Sequence, residues 1–333
     1  MRAPGVHDLF HRPALRAGVE IQEQEDGVAL LYRDQSCDLS VADEGRRELL
    51  ALLDDLQRAP ASMPELRASH PRMAASLPGL LEELDRLGLV TEARFELPAD
   101  AISGLEFNSR LRNLAQRAMR KRGRSRLYGM LADGSAPRNV LIGYALEYYC
   151  LVRAAPGLIA SALSHADSRQ NQRSLQRFLM SELDHDQMLA ASLASVDMEV
   201  TGLEHLQPLP STFALCSALG VFARQHLLSF KSVLFLFEMP GEQFNQALVR
   251  CCERQGLART FWEPLLRHAH INDTLGHDDI TGELLEDISA IGREEQLVVE
   301  KNLVLTVETM ALQDEEIVDY YSRADAAMPR LYL

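Results

Sequence analysis

The spacing of hydrophobic residues changes near residue 43 and divides the chain into two kinds of pattern. Before that point, apolar and polar positions alternate or form short apolar runs, which is the pattern of half-buried β-strands. Three such stretches occupy residues 19–22, 28–32 and 37–41, and short polar segments separate them as turns. This part of the chain therefore predicts a three-stranded antiparallel meander.

From residue 43 onward the apolar positions recur with a helical period, beginning with leucines over residues 49–56. Ser62 is followed three residues later by Glu65, which is the signature of a capping box and predicts the start of a second helix. A third helix is predicted at about 71–87, where Gly88 ends it. Three strands followed by three helices predict a small α+β, winged-helix-like domain over residues 1–96.

The rest of the chain has a purely helical pattern. Residues 97–106 contain proline and glycine and are predicted to be a linker. No strand pattern follows, and helices are predicted at about 107–122, 137–152, 155–165, 169–195, 211–237, 241–255, 257–276 and 282–311. Helices of this length and number predict an all-α bundle over residues 107–333, whose interior can hold a cofactor or a metal.

The net charge of −14 predicts that the chain as a whole repels nucleic acid and anionic lipid. Residues 17–96 alone carry a net charge of −9, which disfavours binding of the winged-helix-like domain to DNA. Docking of a peptide or protein and a purely structural role remain open for that domain. Eight basic residues between 110 and 126 are either a patch for an acidic peptide or partner, or a solvated helix face.

Cysteine usage and apolar runs predict a cytoplasmic protein without a membrane partner. The five cysteines form no CxxC pair, a pattern typical of reduced thiols. The N-terminus lacks the apolar core of a signal peptide. The most apolar stretch, residues 211–240, contains Arg224, His226 and Lys231, so it is too polar to span a membrane.

Three separate helical stretches carry side chains that bind metals. The first contains Glu182 and His185, which are three residues apart and are predicted to share one face of a helix. The second ends in Glu238, after five apolar residues, where a carboxylate is either at the surface or a ligand. The third contains His270 and His277, almost two helical turns apart.

Either Asp273 or Thr274 lies between these two histidines on the same predicted face. A mixture of carboxylates and imidazoles suits iron or manganese with open positions for dioxygen better than it suits structural zinc. Three further histidines are interpreted as core or surface residues rather than ligands: His165, His226 and His268.

The order of three strands and three helices, closed by the segment LGLVTEA, resembles the peptide chaperone of pyrroloquinoline quinone biosynthesis (the PqqD-like domain). The resemblance covers residues 15–96. Such domains hold leader peptides of ribosomally made, modified peptides, and they bind by adding a peptide strand to a sheet edge. The resemblance therefore implies a precursor peptide as a partner.

The helical part resembles the haem-oxygenase-like di-metal oxidases and oxygenases, relatives of the TenA and PqqC folds. Members carry a Glu-x-x-His on an early core helix, a Glu on a middle helix and His-x3-Asp-x2-His on the last. Five of these positions correspond to residues already named, and the carry-over implies the ligands Glu182, His185, Glu238, His270 and His277. The central aspartate falls on Thr274, with Asp273 one residue earlier, and Glu147 fits a further glutamate of the family.

These resemblances imply a non-haem enzyme with two irons, or one metal, that uses O2 as co-substrate. Its expected substrate is a ribosomally made peptide or a peptide-linked amino acid in natural-product biosynthesis. An alternative is a metal-free or cofactorless PqqC-like protein that acts as a peptide-binding scaffold or as the partner of another modifying enzyme. A third is an oxidase of a small free metabolite, with the N-terminal domain serving to form a homodimer.

Overall fold

The computed structural model divides the chain into two compact units. One unit contains residues up to 103 together with 286–290, and the other contains 104–285 and 291–333. The structure describes residues 10–24, 27–32, 35–41, 43–93, 100–198, 203–238, 241–274 and 279–330. Of these, it describes the backbone alone at residues 35, 43, 44, 204 and 270–274.

The first unit contains the predicted meander and two strands that the sequence pattern did not predict. The meander is built from β2 (Glu20–Gln24), β3 (Gly27–Tyr32) and β4 (Gln35–Ser40), which pair antiparallel in the order β2-β3-β4. The additional strands, β1 (Pro13–Leu15) and β5 (Val90–Glu92), form a separate antiparallel pair. This pair joins the two ends of the unit.

Three helices cover the meander, as the leucine spacing predicts. They are α1 (Asp43–Arg58), α2 (Met63–Ser69) and α3 (Leu77–Arg86). The capping box is present, because Glu65 accepts hydrogen bonds at 2.7 Å from both the backbone N–H and the hydroxyl of Ser62. The leucines of α1 and α3 pack on β3 to form one hydrophobic core.

The second unit is a helical bundle. Its helices are α4 (Gly104–Arg122), α5 (Arg126–Asp133), α6 (Arg138–Leu163), α7 (Arg169–Glu182), α8 (His185–Ala194), α9 (Pro210–Gln225), α10 (Leu227–Val233), α11 (Phe235–Glu238), α12 (Glu242–Arg254), α13 (Arg259–Thr274), α14 (Ile280–Leu285) and α15 (Arg293–Tyr321). The long helix α6 packs against α7, α8, α9 and α15, and its buried residues form the centre of the unit's core.

Several predicted helix boundaries are wrong, each for a local reason. The predicted break between 152 and 155 is absent: α6 continues through Pro156, because residues such as Ile159 and Ala162 keep its face buried beyond the proline. The single helix predicted at 211–237 is three helices, and His226, with φ −148°, separates the first two. The helix predicted at 282–311 is two, α14 and α15.

The basic segment of α4 and the following loop faces the acidic side of α15. Arg110 lies 2.7 Å from Glu300, and Arg122 lies 3.2 Å from Glu308. These ion pairs are half-exposed, which favours the interpretation as a solvated helix face. All five cysteines are free thiols. None of the described helices combines the length and the apolar run needed to cross a membrane.

Candidate metal centre

Glu182 and His185 come together at a break between two helices rather than on one helix face. Helix α7 ends at Glu182, Leu183 is extended, Asp184 has a left-handed backbone with φ 66°, and α8 begins at His185. The predicted continuous helix over 169–195 is therefore wrong. The turn still places the two side chains in contact, with His185 Nδ1 3.2 Å from Glu182 Oε2, and both are buried.

A second histidine, His268 of α13, completes a cluster with these two residues. Ligand atoms from Glu182, His185 and His268 all lie within 4.8 Å of one another. The two imidazole rings meet edge to face, with their centroids 4.8 Å apart. His268 is only 4% exposed, which excludes the surface position and leaves a core histidine or a ligand.

The sequence did contain a signal for His268. Phe261 and Leu265 are buried on α13, and His268 continues their series at the spacing i, i+4, i+7. A histidine in that series points toward the same interior as the two apolar side chains. The motif comparison favoured His270 instead, because it matched residue order and not the buried face of the helix.

Tyr148 of α6 fixes the orientation of His268. Its hydroxyl lies 2.6 Å from His268 Nδ1, which is a hydrogen bond, and the two rings meet edge to face. Tyr144, one turn earlier on the same helix, stacks on Tyr148 with ring centroids 5.8 Å apart. Burial, together with the charge of nearby carboxylates, raises the pKa of Tyr148 well above its usual value, so the hydroxyl keeps its proton.

Glu238 ends the short helix α11 and is buried, which excludes the surface position that the sequence left open. Burial and, to a smaller extent, the negative charge of Glu182 raise the pKa of its carboxyl to about 8. Thr281 holds the start of α11, because its hydroxyl accepts a hydrogen bond from the Phe235 N–H at 3.0 Å and donates one to the Lys231 carbonyl at 2.8 Å.

Of the remaining predicted ligands, the structure describes the side chain of Glu147 alone. Glu147 is buried, but its carboxylate accepts hydrogen bonds from the Leu209 N–H at 2.9 Å and from the Tyr321 hydroxyl at 2.8 Å, where it fixes the start of α9. The side chains of His270, Asp273 and Thr274 lie outside the described structure, although their backbone belongs to α13.

His277 also lies outside the described residues. The two remaining histidines have the roles expected of non-ligands. His165 is exposed, and His226 caps α10 by accepting a hydrogen bond from the Ser229 N–H at 3.2 Å.

A cavity of about 630 Å³ adjoins the cluster. Glu182, Glu238, His268 and Tyr148 line it at one place, and the rest of its wall is largely aliphatic and aromatic. Its volume is in the range of cavities that hold small molecules. A largely apolar wall around a few polar groups is typical of a ligand site.

The donor set fits a divalent transition metal. Three buried nitrogen and oxygen donors lie within 4.8 Å of one another, close enough to hold one metal ion. A second carboxylate, that of Glu238, lies close enough for the charge of Glu182 to raise its pKa. Two carboxylates of like charge in one buried site require either a shared proton or a cation. Imidazole and carboxylate together suit iron and manganese, and they form no thiolate site of the structural zinc type.

Comparison with known proteins supports the fold of the helical unit. No family model matches the chain, and neither does any curated protein sequence. Among solved structures, the chain is similar to a Shewanella denitrificans OS217 domain described as having a heme oxygenase-like fold, with 13% identity and a TM-score of 0.55 over 70% of this chain and 99% of that one.

Two TenA homologues are also similar. The one from Pseudomonas syringae pv. tomato DC3000 has 14% identity and a TM-score of 0.53, and the match covers 68% of this chain and all of the other. The one from P. horikoshii OT3 has 10% identity and a TM-score of 0.50, with 64% and 98% covered. The chain thus contains a small antiparallel sheet region followed by a haem-oxygenase-like helical bundle, and at these identities the comparison supports the fold alone.

Proposed function

We propose that this protein is a non-haem iron enzyme that uses O2 to oxidise a ribosomally made peptide or a peptide-linked amino acid. The observation that carries the proposal is the buried set of Glu182, His185 and His268, next to Glu238, on the wall of a largely apolar cavity. Such a set costs free energy when it is buried without a cation, and metal binding would compensate this cost.

In the proposed site, Glu182, His185 and His268 would hold the metal, and Glu238, at the end of helix α11, would be a further ligand or an uncoordinated neighbour. Bound iron would supply a redox couple and open coordination positions for dioxygen. The protein's own residues supply the rest: Tyr148 holds the His268 ring in one orientation, and the apolar wall excludes water from the substrate.

We further propose that the first unit recognises the peptide in the manner of a PqqD-like domain. Strands β2 and β4 are the outer strands of the meander, and each pairs on one side only with β3 in the described sheet. Such an edge offers backbone groups to an added peptide strand. The net charge of −9 over residues 17–96 favours a leader segment that carries basic residues.

The first experiment measures iron in the full-length protein after anaerobic loading with Fe(II) and removal of unbound metal. We expect wild type to retain iron and His268→Ala to lose most of it. His165→Ala is the matched control, because it removes an exposed histidine, and it should retain iron as wild type does. A parallel His270→Ala variant asks whether the histidine favoured by the motif also contributes.

The second measurement is oxygen consumption by the iron-loaded protein with the precursor peptide encoded nearest to its gene. Consumption that depends on peptide and is lost in His268→Ala supports the proposal. If wild type, His268→Ala and His270→Ala contain the same trace of metal, the oxidative function is wrong, and the protein is better described as a metal-free peptide-binding scaffold.

A further inference from the structure

The cavity continues along α6, away from the metal cluster, to a third acidic side chain, Asp314. Tyr148 contacts His268, and the pKa of Tyr148 is affected by the charges of Glu182 and Glu238. The pKa of Tyr144, one turn earlier, is instead raised by burial and by the charge of Asp314. Tyr144 and Tyr148 are four residues apart, which corresponds to a rise of about 6 Å along the helix. Asp314 and the metal cluster therefore affect different parts of the same cavity wall.

Asp314 lies on a stripe of α15 that lines the cavity. Val307, Met310, Ala311 and Asp314 all line it, and their spacing places them on one helix face. The first three are apolar, so the stripe changes from apolar to acidic at its C-terminal end. Ser125, at the start of α5, also lines this part of the cavity, and its side chain is hydrogen-bonded to Asp314.

The electrostatic surroundings of Asp314 favour a cation. Burial and, to a smaller extent, the charge of Glu315 raise the pKa of its carboxyl to about 6, although the Ser125 hydrogen bond acts in the opposite direction. The two arginines that line the same part of the cavity have other contacts: Arg122 pairs with Glu308 at 3.2 Å, and Arg124 lies over the Tyr128 ring. A positively charged group brought to Asp314 would therefore offset a charge that burial disfavours.

We propose that the cavity binds an amine, with the ammonium group at Asp314 and an apolar body extending along Tyr144 and Tyr148 toward the metal cluster. The claim that this amine is the oxidised substrate rests on the proposed function. The claim that the cavity binds an amine does not. In a peptide, a lysine side chain or an N-terminal amino group has this chemistry, and a small free amine has it as well.

The charge at Asp314 distinguishes an amine from other ligands of the same shape. An ammonium group forms a charge-assisted hydrogen bond with a carboxylate, which is about twice as strong as a neutral one. A carboxylate ligand would instead add a like charge to a half-buried acidic site. An alcohol of equal length fills the same apolar volume but gains only a neutral hydrogen bond.

The test compares hexylamine, 1-hexanol and hexanoate by calorimetric titration into full-length protein at pH 7.5. The protein is kept metal-free with a chelator, so that an amine has no metal to bind. We expect hexylamine to bind about tenfold more tightly than hexanol, because a charged hydrogen bond replaces a neutral one. Hexanoate should bind more weakly than either.

Asp314→Asn keeps the side-chain shape and removes the charge, and it should abolish the preference for the amine. Asp319→Asn is the matched control: it removes an exposed carboxylate of the same helix, which pairs with Arg126 at 2.6 Å rather than lining the cavity, and it should leave the preference unchanged. A melting curve of each variant checks that it is folded.

Equal affinity for hexylamine and hexanol in wild type would overturn the inference, as would an amine preference that survives in Asp314→Asn. Because these titrations need neither iron nor turnover, they fail or succeed independently of the oxidative function. Iron uptake with no amine preference would support the metal centre and overturn the amine as the ligand class. An amine preference without iron uptake would support amine binding and overturn the metal centre.

Discussion

At the scale of single residues, the interior of the bundle concentrates charge where an ordinary core has none. Glu182 and Glu238 are both buried, and burial together with the charge of Glu182 raises the pKa of Glu238 to about 8. Burying a carboxylate without a partner costs free energy, and a second one nearby increases that cost. In the proposed metal site, a bound cation would offset this cost.

The hydrogen bond from Tyr148 to His268 gives the first residue-scale prediction. Tyr148→Phe keeps the ring and its packing but removes the group 2.6 Å from His268 Nδ1. Loss of a hydrogen bond that orients a ligand typically lowers metal affinity by about 10- to 100-fold. We therefore expect weaker Fe(II) binding, measured by competition with a chelator of known affinity.

Tyr144→Phe is the control for this prediction. It removes a hydroxyl from the ring that stacks on Tyr148, while the hydrogen bond to His268 is retained. Its iron affinity should match that of wild type. If the two variants lose affinity equally, the tyrosines act by packing alone, and the orienting role of Tyr148 is wrong.

At the scale of elements, the candidate metal centre is built from residues at the ends of helices. Glu182 ends α7, His185 begins α8, and Glu238 ends α11. Asp184 makes the first two of these boundaries coincide, because its left-handed backbone turns the chain within two residues. Aspartate tolerates that conformation better than most residues other than glycine do.

Substitution of Asp184 tests whether this turn builds the site. Asp184→Val forces a β-branched residue into the left-handed region, which costs about 1–2 kcal/mol, so we expect lower stability in urea and weaker iron binding. Asp184→Gly also removes the side-chain hydrogen bond to Gln187 but allows the turn, and it should resemble wild type. If the valine variant matches the glycine variant in both measurements, the turn does not determine the site.

The features that the sequence predicted correctly are those determined by residues close together in the chain. The capping box at Ser62 and Glu65 involves residues three apart, and the meander follows from alternation over a few positions. Helical periodicity likewise predicted a bundle, and the solved haem-oxygenase-like structures agree with that fold. Local chemistry determines these features, so a single sequence is enough to find them.

The features that the sequence missed depend on distant packing. Strands β1 and β5 pair Pro13 with Glu92, and no local pattern in either segment predicts that contact. A break was predicted between residues 152 and 155, but α6 continues through Pro156 because residues on both sides of the proline are buried. The family motif depends on the order of residues and points to His270, whereas His268 lies on the buried face of α13.

At the scale of the whole molecule, two units of different chemistry share one chain. The first offers the edges of an acidic, three-stranded sheet, and the second contains a buried carboxylate–imidazole cluster beside a cavity of about 630 Å³. A cavity of that size accepts a side chain or a small molecule, whereas a sheet edge accepts an extended segment. The proposed division of labour follows: one unit holds the leader while the other acts on a single group of the core peptide.

This division predicts how the kinetics of the full-length, iron-loaded protein depend on the leader. A leader joined to the core peptide makes the second binding event intramolecular, so we expect its removal to raise KM by about 10²-fold while kcat changes little. Oxygen consumption measured over a range of peptide concentrations gives both constants. A core joined to a leader of scrambled order is the control and should behave as the core alone. Equal KM values with and without the leader would instead favour a small free substrate and assign the first unit another role.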